Sequence, residues 1–545
     1  MNEKWWTNAV IYAVDVERFF DSNGDGIGDF KGLAQKLPYL SELGVTALWL
    51  LPFYDSTEGD NGYDVTDYLH IGAKYGTLDD FLAFLHEAGA MGIRIIMDLV
   101  VDHTSNRHPW FEAARYAPES RFRNYYYWTR HPPVPTAGNE TLFPGEESSV
   151  WTFEPIAGAY YHHRFYHFEP SLNIHNADVR DEIKRILDFW LAFGVSGFRL
   201  DAAGRMTEYP GHDDMDPGDV HLPLRDIFRH VKSLDESVML VGEVDTEPEE
   251  VTHFMDGSQM DMCFNFFLNN YLYLALATGK AEPIMRSYRL LHGKLQSSQS
   301  VNFLRNLDEL DLTQLTDEER QAVYKSFAPE EGMIIYNRGI RRRLAPMLGG
   351  DIRRLKMAYS LLFSLPGTPK IVYGDEIGMG EDLTLEGRNS VRCPMQWTAG
   401  RNAGFSSSPK RGLVGKLIRR GDFSYKNINV ENQRASPDSL WTFIRKLVAL
   451  RRNAAVIGTS DFRPVPVDAP EVLAHSYENQ QEQWFCVHNL SGKAVQCIVR
   501  LEGAPDRKLD DLLTGRAYPV KSGKLKLKMP AYGYLWLSCS YQMLS

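Results

Sequence analysis

Gly197-Phe198-Arg199-Leu200-Asp201 is a short apolar run that ends in an acid, and the pattern recurs twice further along the chain. Met239-Leu240-Val241-Gly242-Glu243 and Phe303-Leu304-Arg305-Asn306-Leu307-Asp308 close the same way. One acid after one strand commonly caps the next helix. Three of them at barrel-like intervals, one with an arginine two residues before it, instead place three carboxyls at the mouth of a barrel.

Outward from these runs, short apolar strands alternate with amphipathic helices. Strands are predicted over 9–12, 47–51 and 93–101, with helices over 33–43 and 78–91. After the first acid-tipped strand at 197–200 come strands over 238–241, 302–304 and 370–373, and 260–266 supplies an eighth. Helices over 179–193 and 355–363 complete the alternation, which specifies a parallel sheet with helices outside it. Eight strands in a chain of 545 residues predict an α/β fold, a (β/α)8 TIM barrel rather than a doubly wound open sheet. Residues 1–103 form the first part of the barrel. Residues 104–175, irregular and rich in Pro, Tyr, His and Trp, form an inserted domain B after strand 3, since connections this long are usually functional. The barrel resumes over 176–455, and 456–545, where short β-rich runs alternate with turn residues, forms a C-terminal antiparallel β-sandwich domain.

The composition is that of a soluble globular protein, with 43% hydrophobic and 24% charged residues. A net charge of −12 argues against nucleic acid or an anionic membrane as partner and suits a small neutral molecule. Five cysteines without a CxxC pair are expected to be reduced thiols, which together with an N-terminus lacking a signal-peptide pattern predicts a cytoplasmic protein. No run of about eighteen apolar residues is present to span a membrane. Assembly into a homo-oligomer is left open by the sequence.

Two facing carboxyls at a barrel mouth suit retaining glycoside chemistry, one as nucleophile and one as general acid/base. Arg199 and Asp201 share a strand face, and a guanidinium beside a carboxylate favours its ionised form, so Asp201 is the candidate nucleophile. Glu243, after Val241 and Gly242, is expected in apolar surroundings that raise its pKa toward that of a general acid. Asp308 would then hold sugar hydroxyls in an oxocarbenium-like transition state. Asp98 and His103 lie at another strand end. In Asn61-Gly62-Tyr63-Asp64, Tyr63 is expected to stack on a sugar and Asp64 to bind a hydroxyl together with Arg392.

Over nearly the whole chain these segments resemble the signature regions of the α-amylase superfamily, glycoside hydrolase family 13. The resemblance implies the barrel, the inserted domain B and the C-terminal β domain. It also implies Asp201 as nucleophile, Glu243 as acid/base and Asp308 as transition-state stabiliser, with Asp64, His103, Arg199 and Arg392 lining the first glucose subsite. The runs over 337–346 and 373–380 resemble members of the family that isomerise maltose to trehalose through a covalent glucosyl-enzyme intermediate. The run over 391–397 departs from those members by Cys393 in place of threonine. Hydrolysis of short α-glucosides, and a catalytically weak member that binds sugar or scaffolds a partner, are the alternatives.

The family's third acid normally follows a histidine that donates to glycon hydroxyls, and here Leu307 takes that place. Leucine cannot donate, so either catalysis on maltose slows or the preferred glycon differs. Asp102 and Ser171 stand where relatives often have Asn and Asp near a calcium. A stronger calcium candidate is the loop Asp21-Ser22-Asn23-Gly24-Asp25-Gly26-Ile27-Gly28-Asp29, which spaces oxygen donors at alternate positions with glycines for a tight turn. Asp21, Asn23, Asp25, the Ile27 carbonyl and Asp29 are the expected ligands of a structural Ca2+, and no organic cofactor is expected.

Overall fold

The computed structural model describes residues 4–131, 141–210, 219–291, 300–409, 412–501 and 506–540. Eight parallel strands close into a barrel: β1 (Ile11–Val14), β2 (Ala47–Leu50), β3 (Arg94–Leu99), β4 (Gly197–Leu200), β5 (Met239–Gly242), β6 (Met262–Phe264), β7 (Ser300–Phe303) and β8 (Thr368–Val372). Every expected barrel strand is present, including the eighth over 260–266. The strands read as unbroken apolar runs because helices cover them outside while side chains fill them inside.

Local chemistry fixes the helices. Thr77 and Asp80 form a capping box at the start of the helix Leu78–Ala90. The Asp29 side chain accepts from the Gly32 amide and caps Phe30–Leu43, which ends at Gly44 with φ 89°. Between β3 and β4 the irregular stretch contains the helix Pro109–Tyr116 and a three-stranded sheet of Trp128–Thr129, Trp151–Glu154 and Ala159–His162. Between β7 and β8 a second excursion forms a small sheet of Leu310–Asp311, Gly339–Ile340 and Ile334–Ile335. Tyr336 and Asn337, at φ 54° and 56°, make its tight turn.

Past the helix Leu440–Asn453, eight antiparallel strands form one continuous sheet. The expected two-sheet sandwich is therefore a single sheet folded over its own core of residues such as Val499, Leu525 and Leu537. Alternate residues on its other face, Tyr477, Trp484 and Trp536, join the barrel's core. Buried polar contacts seal that joint. His488 Nε2 pairs with Ser360 Oγ at 2.9 Å, and Tyr477 Oη donates to the Ser364 carbonyl at 2.8 Å. Among the described residues no helix is long and apolar enough to cross a membrane.

Candidate active site

The carboxyl ends of the barrel strands open into a cavity of about 710 Å3 lined by Asp201, Glu243 and Asp308. Arg199 is its organising charge. The strand period puts Arg199 and Asp201 on one face, and Arg199 Nη1 reaches Asp201 Oδ1 at 2.5 Å and Asp98 Oδ1 at 2.7 Å. Its Nη2 lies 2.6 Å from Glu243 Oε2. Glu243 also accepts from the Ala202 amide at 3.1 Å, a residue held in the left-handed region at φ 47° directly after Asp201. Strain at such a point is the kind an active site retains.

The electrostatics sort the three acids. Burial pushes Asp201 up to about 6 against the pull of Arg199, so desolvation rather than the guanidinium dominates this carboxyl. Glu243 is raised to about 7 by burial, with Asp201 and Asp308 adding to the rise. The expected apolar setting is thus only part of the cause, because Glu243 is ion-paired to Arg199. Asp308 is half-buried, and although desolvation pushes it up, Arg388 and Arg392 hold it down at about 2. Arg392 Nη2 stands 2.6 Å from Asp308 Oδ1. One acid near neutrality, one slightly below it and one permanently charged is the division of labour that retaining glycoside chemistry requires.

Tyr63 and His103 line the cavity as expected. The Tyr63 hydroxyl donates to Asp98 Oδ2 at 3.1 Å, which fixes its ring. Burial disfavours the charged form of His103, but Glu169 and Asp102 outweigh it and raise the imidazole to about 9. Asp64 does not reach the cavity. It is wholly buried, and its carboxylate accepts from Thr57 Oγ1 and from the amides of Gly59 at 2.9 Å and Asp60 at 3.2 Å. Asp60 is the acid that lines the cavity, beside Arg388 and Arg392. A tight turn through Asn61 (φ 50°) and Gly62 (φ 95°) separates the two acids and turns them opposite ways. Leu307 is likewise placed away from the expected position: it is 4% exposed within the hydrophobic core, while Asn306 and Asp308 on either side line the cavity. Its carbonyl accepts from Arg392 Nε at 3.0 Å.

Residues without a clear sequence signal complete the walls. Asp245, two positions after Glu243, lines the cavity, is raised to about 7 by burial and accepts from Gln314 Nε2 at 3.1 Å. Arg388 pairs with Glu309 at 2.7 Å. The turn Tyr336–Arg338 forms a roof tied to the inserted domain. Tyr336 Oη donates to Glu146 at 3.1 Å, and Arg338 Nη1 donates to the Leu142 carbonyl at 2.6 Å.

The loop from Asp21 to Asp29 lies apart from this cavity. Asp21 accepts from the amides of Gly24 at 2.7 Å and Gly26 at 2.8 Å, and Asp25 accepts from that of Ile27 at 2.8 Å. Carboxylate, amide and carbonyl oxygens are the hard donors calcium takes, so the donor set fits that ion. Among the described residues no three acid, histidine or cysteine side chains already converge as on a metal. Asp102 lies near two positive charges, the imidazole of His103 at 3.6 Å and the guanidinium of Arg164, which shares a small recess with Asp102, His162 and Ser171.

Known proteins carry the same plan. The alpha amylase catalytic-domain model matches residues 11–459, and the maltogenic amylase C-terminal-domain model matches 462–536. A trehalose synthase of Thermus thermophilus is 40% identical over 98% of this chain, which spans 55% of that protein's length. A trehalose synthase/amylase of Mycolicibacterium smegmatis is 38% identical, covering 98% of this chain and 92% of the relative. An oligo-1,6-glucosidase of Parageobacillus thermoglucosidasius is 30% identical over 90% of this chain and 92% of the relative. Among solved structures, the trehalulose synthase MutB of Pseudomonas mesoacidophila MX-45 superposes with TM-score 0.77 at 25% identity, covering 98% of this chain and all of that one.

Proposed function

Because the chain belongs to the α-amylase family, we propose that it is a retaining α-glucosyl-transferring enzyme that isomerises maltose to trehalose. The observation that carries this reading is Arg199 gripping Asp201 and Glu243 together, at 2.5 and 2.6 Å, within a roofed cavity. Similarity to trehalose synthases over 98% of this chain supports the same conclusion.

In the first half-reaction Glu243 gives its proton to the glycosidic oxygen while Asp201 attacks the anomeric carbon. The C1–O bond breaks, a glucosyl ester forms on Asp201, and glucose is left in the cavity. Asp308, charged throughout, faces the positive charge that develops on the ring. The freed glucose then turns so that its own anomeric hydroxyl faces C1. Glu243, now a carboxylate, takes that hydroxyl's proton, the oxygen attacks C1, and Asp201 leaves. A roof that keeps water out decides between this outcome and hydrolysis.

A structural calcium would be held by Asp21, Asn23, Asp25, the Ile27 carbonyl and Asp29, and would rigidify the loop where it packs on the segment around Ser406. The buried thiols Cys263, Cys393, Cys486 and Cys497 support a reducing, cytoplasmic setting. Incubation with maltose tests the function. Trehalose forming faster than free glucose is the expected result. Glucose alone would make the protein an α-glucosidase, and no product would overturn the reading.

A further inference from the structure

The third strand-end run poses a chemical problem. The residue before Asp308 is leucine, and its side chain is buried in the core and does not line the cavity. A glycon hydroxyl on that side of the cavity still needs a partner, since an unpaired polar group in a desolvated site is costly. The neighbouring Asn306 is half-buried and lines the cavity between Asp308 and the barrel interior.

Beneath Asn306 lies a lysine inside the barrel. Lys370, on β8, is 1% exposed, and its ammonium sits among the rings of Phe303, Trp49 and Phe264 at 4.9, 5.3 and 5.7 Å. A buried lysine needs acceptors, and Lys370 Nζ donates to the Arg305 carbonyl at 3.0 Å and to Asn306 Oδ1. Burial pulls Lys370 down to about 7, and its N–H groups donate to Asn306 Oδ1 as to the Arg305 carbonyl, so this contact sets which end of the amide points down. The Asn306 oxygen is committed to Lys370. Its Nδ2, which has no hydrogen-bond partner among the described residues, is left on the cavity side as a two-hydrogen donor. The loop itself is anchored independently: Arg305 Nη2 donates to the Asp308 carbonyl at 2.7 Å, and Tyr273 Oη to the Leu304 carbonyl at 2.8 Å.

We infer that Asn306 Nδ2, oriented from below by Lys370, is the hydrogen-bond donor to a hydroxyl of the bound glycon on the Asp308 side of the cavity, a donor that Leu307 cannot supply. Asn306 is then a substrate-binding residue and Lys370 a positioning residue. The inference rests on the α-glucoside reading above.

The experiment compares wild type, Asn306→Ala, Asn306→Asp and Lys370→Met on maltose and on its analogues lacking one hydroxyl at carbon 2, 3, 4 or 6 of the non-reducing ring. In wild type, one analogue is expected to lose about 10- to 100-fold in kcat/KM relative to maltose. Asn306→Ala loses a similar factor on maltose and nothing further on that analogue, while the other analogues fall in parallel with maltose. Asn306→Asp, nearly the same shape but without the donor, behaves as the alanine variant does. Lys370→Met reproduces the selective pattern at smaller size. Equal loss on every analogue, or none, in the Asn306 variants would overturn the assignment. A uniform fall in Lys370→Met, with selectivity intact, would overturn the positioning role of Lys370. If wild type turns over no α-glucoside at all, the α-glucoside reading itself fails, and the inference falls with it.

Discussion

Arg199 Nη2 stands 2.6 Å from Glu243 Oε2, so the proposed proton donor is held by the same guanidinium that holds the proposed nucleophile. The two acids accordingly titrate close together, both raised first of all by burial, Asp201 to about 6 and Glu243 to about 7. Asp201 must be ionised to attack and Glu243 protonated to donate. Activity therefore rises as pH climbs through about 6 and falls as it passes about 7. A pH profile of kcat/KM is expected to be a narrow bell. Glu243→Gln, assayed on a glucosyl donor whose leaving group needs no proton, is expected to lose the alkaline limb. A profile flat from about pH 5 to 8 would sink the assignment of both roles.

Asp60 and Asp64, four residues apart, separate function from stability. Asp60→Asn removes a carboxylate that lines the cavity and is expected to lower kcat/KM by about 100-fold with little change in Tm. Asp64→Ala strips the acceptor from Thr57 Oγ1 and from the Gly59 and Asp60 amides, and each unpaired group costs about 1–3 kcal/mol. Its Tm should fall by several degrees while residual kcat/KM at low temperature stays within a few-fold. Thermal melts beside initial rates decide the matter, and the opposite pattern would return the sugar contact to Asp64.

On the proposed mechanism, the turn Tyr336–Arg338 is expected to control the access of water. Arg338 joins the turn to the inserted domain through the Leu142 carbonyl at 2.6 Å and to Asp311 at 2.7 Å. Arg338→Ala cuts both ties, together with the Arg338 pair to Glu309 at 3.1 Å, without removing a group of Asp201, Glu243 or Asp308. Bond cleavage is expected to survive within about 10-fold, while the ratio of free glucose to trehalose rises several-fold because water reaches the glucosyl ester. The product ratio by chromatography is the measure, and an unchanged ratio would show that the roof does not control hydrolysis.

The barrel was legible because parallel strands buried on both faces leave unbroken apolar runs, and those ending in Asp201, Glu243 and Asp308 named the site as well as the fold. Asp60 was not legible. Both it and Asp64 sit in one polar loop, and only the left-handed turn through Asn61 and Gly62 decides which of them faces inward. Leu307 faces the core for a different reason: the alternation that aims Asn306 and Asp308 at the cavity turns the residue between them inward. Asp245, Arg388 and Arg338 come from three separate excursions beyond the strands, and nothing in their local sequence says that they converge. The C-terminal strands were legible as strands, but whether they form one folded sheet or two depends on hydrogen-bond partners far apart in the chain.

The loop from Asp21 to Asp29 gives the last prediction. Its carboxylates now accept from the loop's own amides, and Asp29 also caps the helix Phe30–Leu43. Calcium binding would add ion contacts to these and lock the loop against its neighbour, where Ser406 Oγ donates to Asp21 Oδ2 at 2.5 Å. A ligand present at 100 times its dissociation constant stabilises the folded state by about 2.7 kcal/mol. Removing calcium with a chelator is therefore expected to lower Tm by a few degrees, and restoring calcium, but not magnesium, should reverse the loss. Asp25→Ala, which alters an exposed candidate ligand without disturbing the helix cap, should abolish that calcium-dependent shift. Because the loop is remote from Asp201 and Glu243, kcat well below Tm should not respond to either treatment. A Tm indifferent to chelation in the wild-type protein would remove calcium from this loop and leave its glycines and acids as a self-bonded turn.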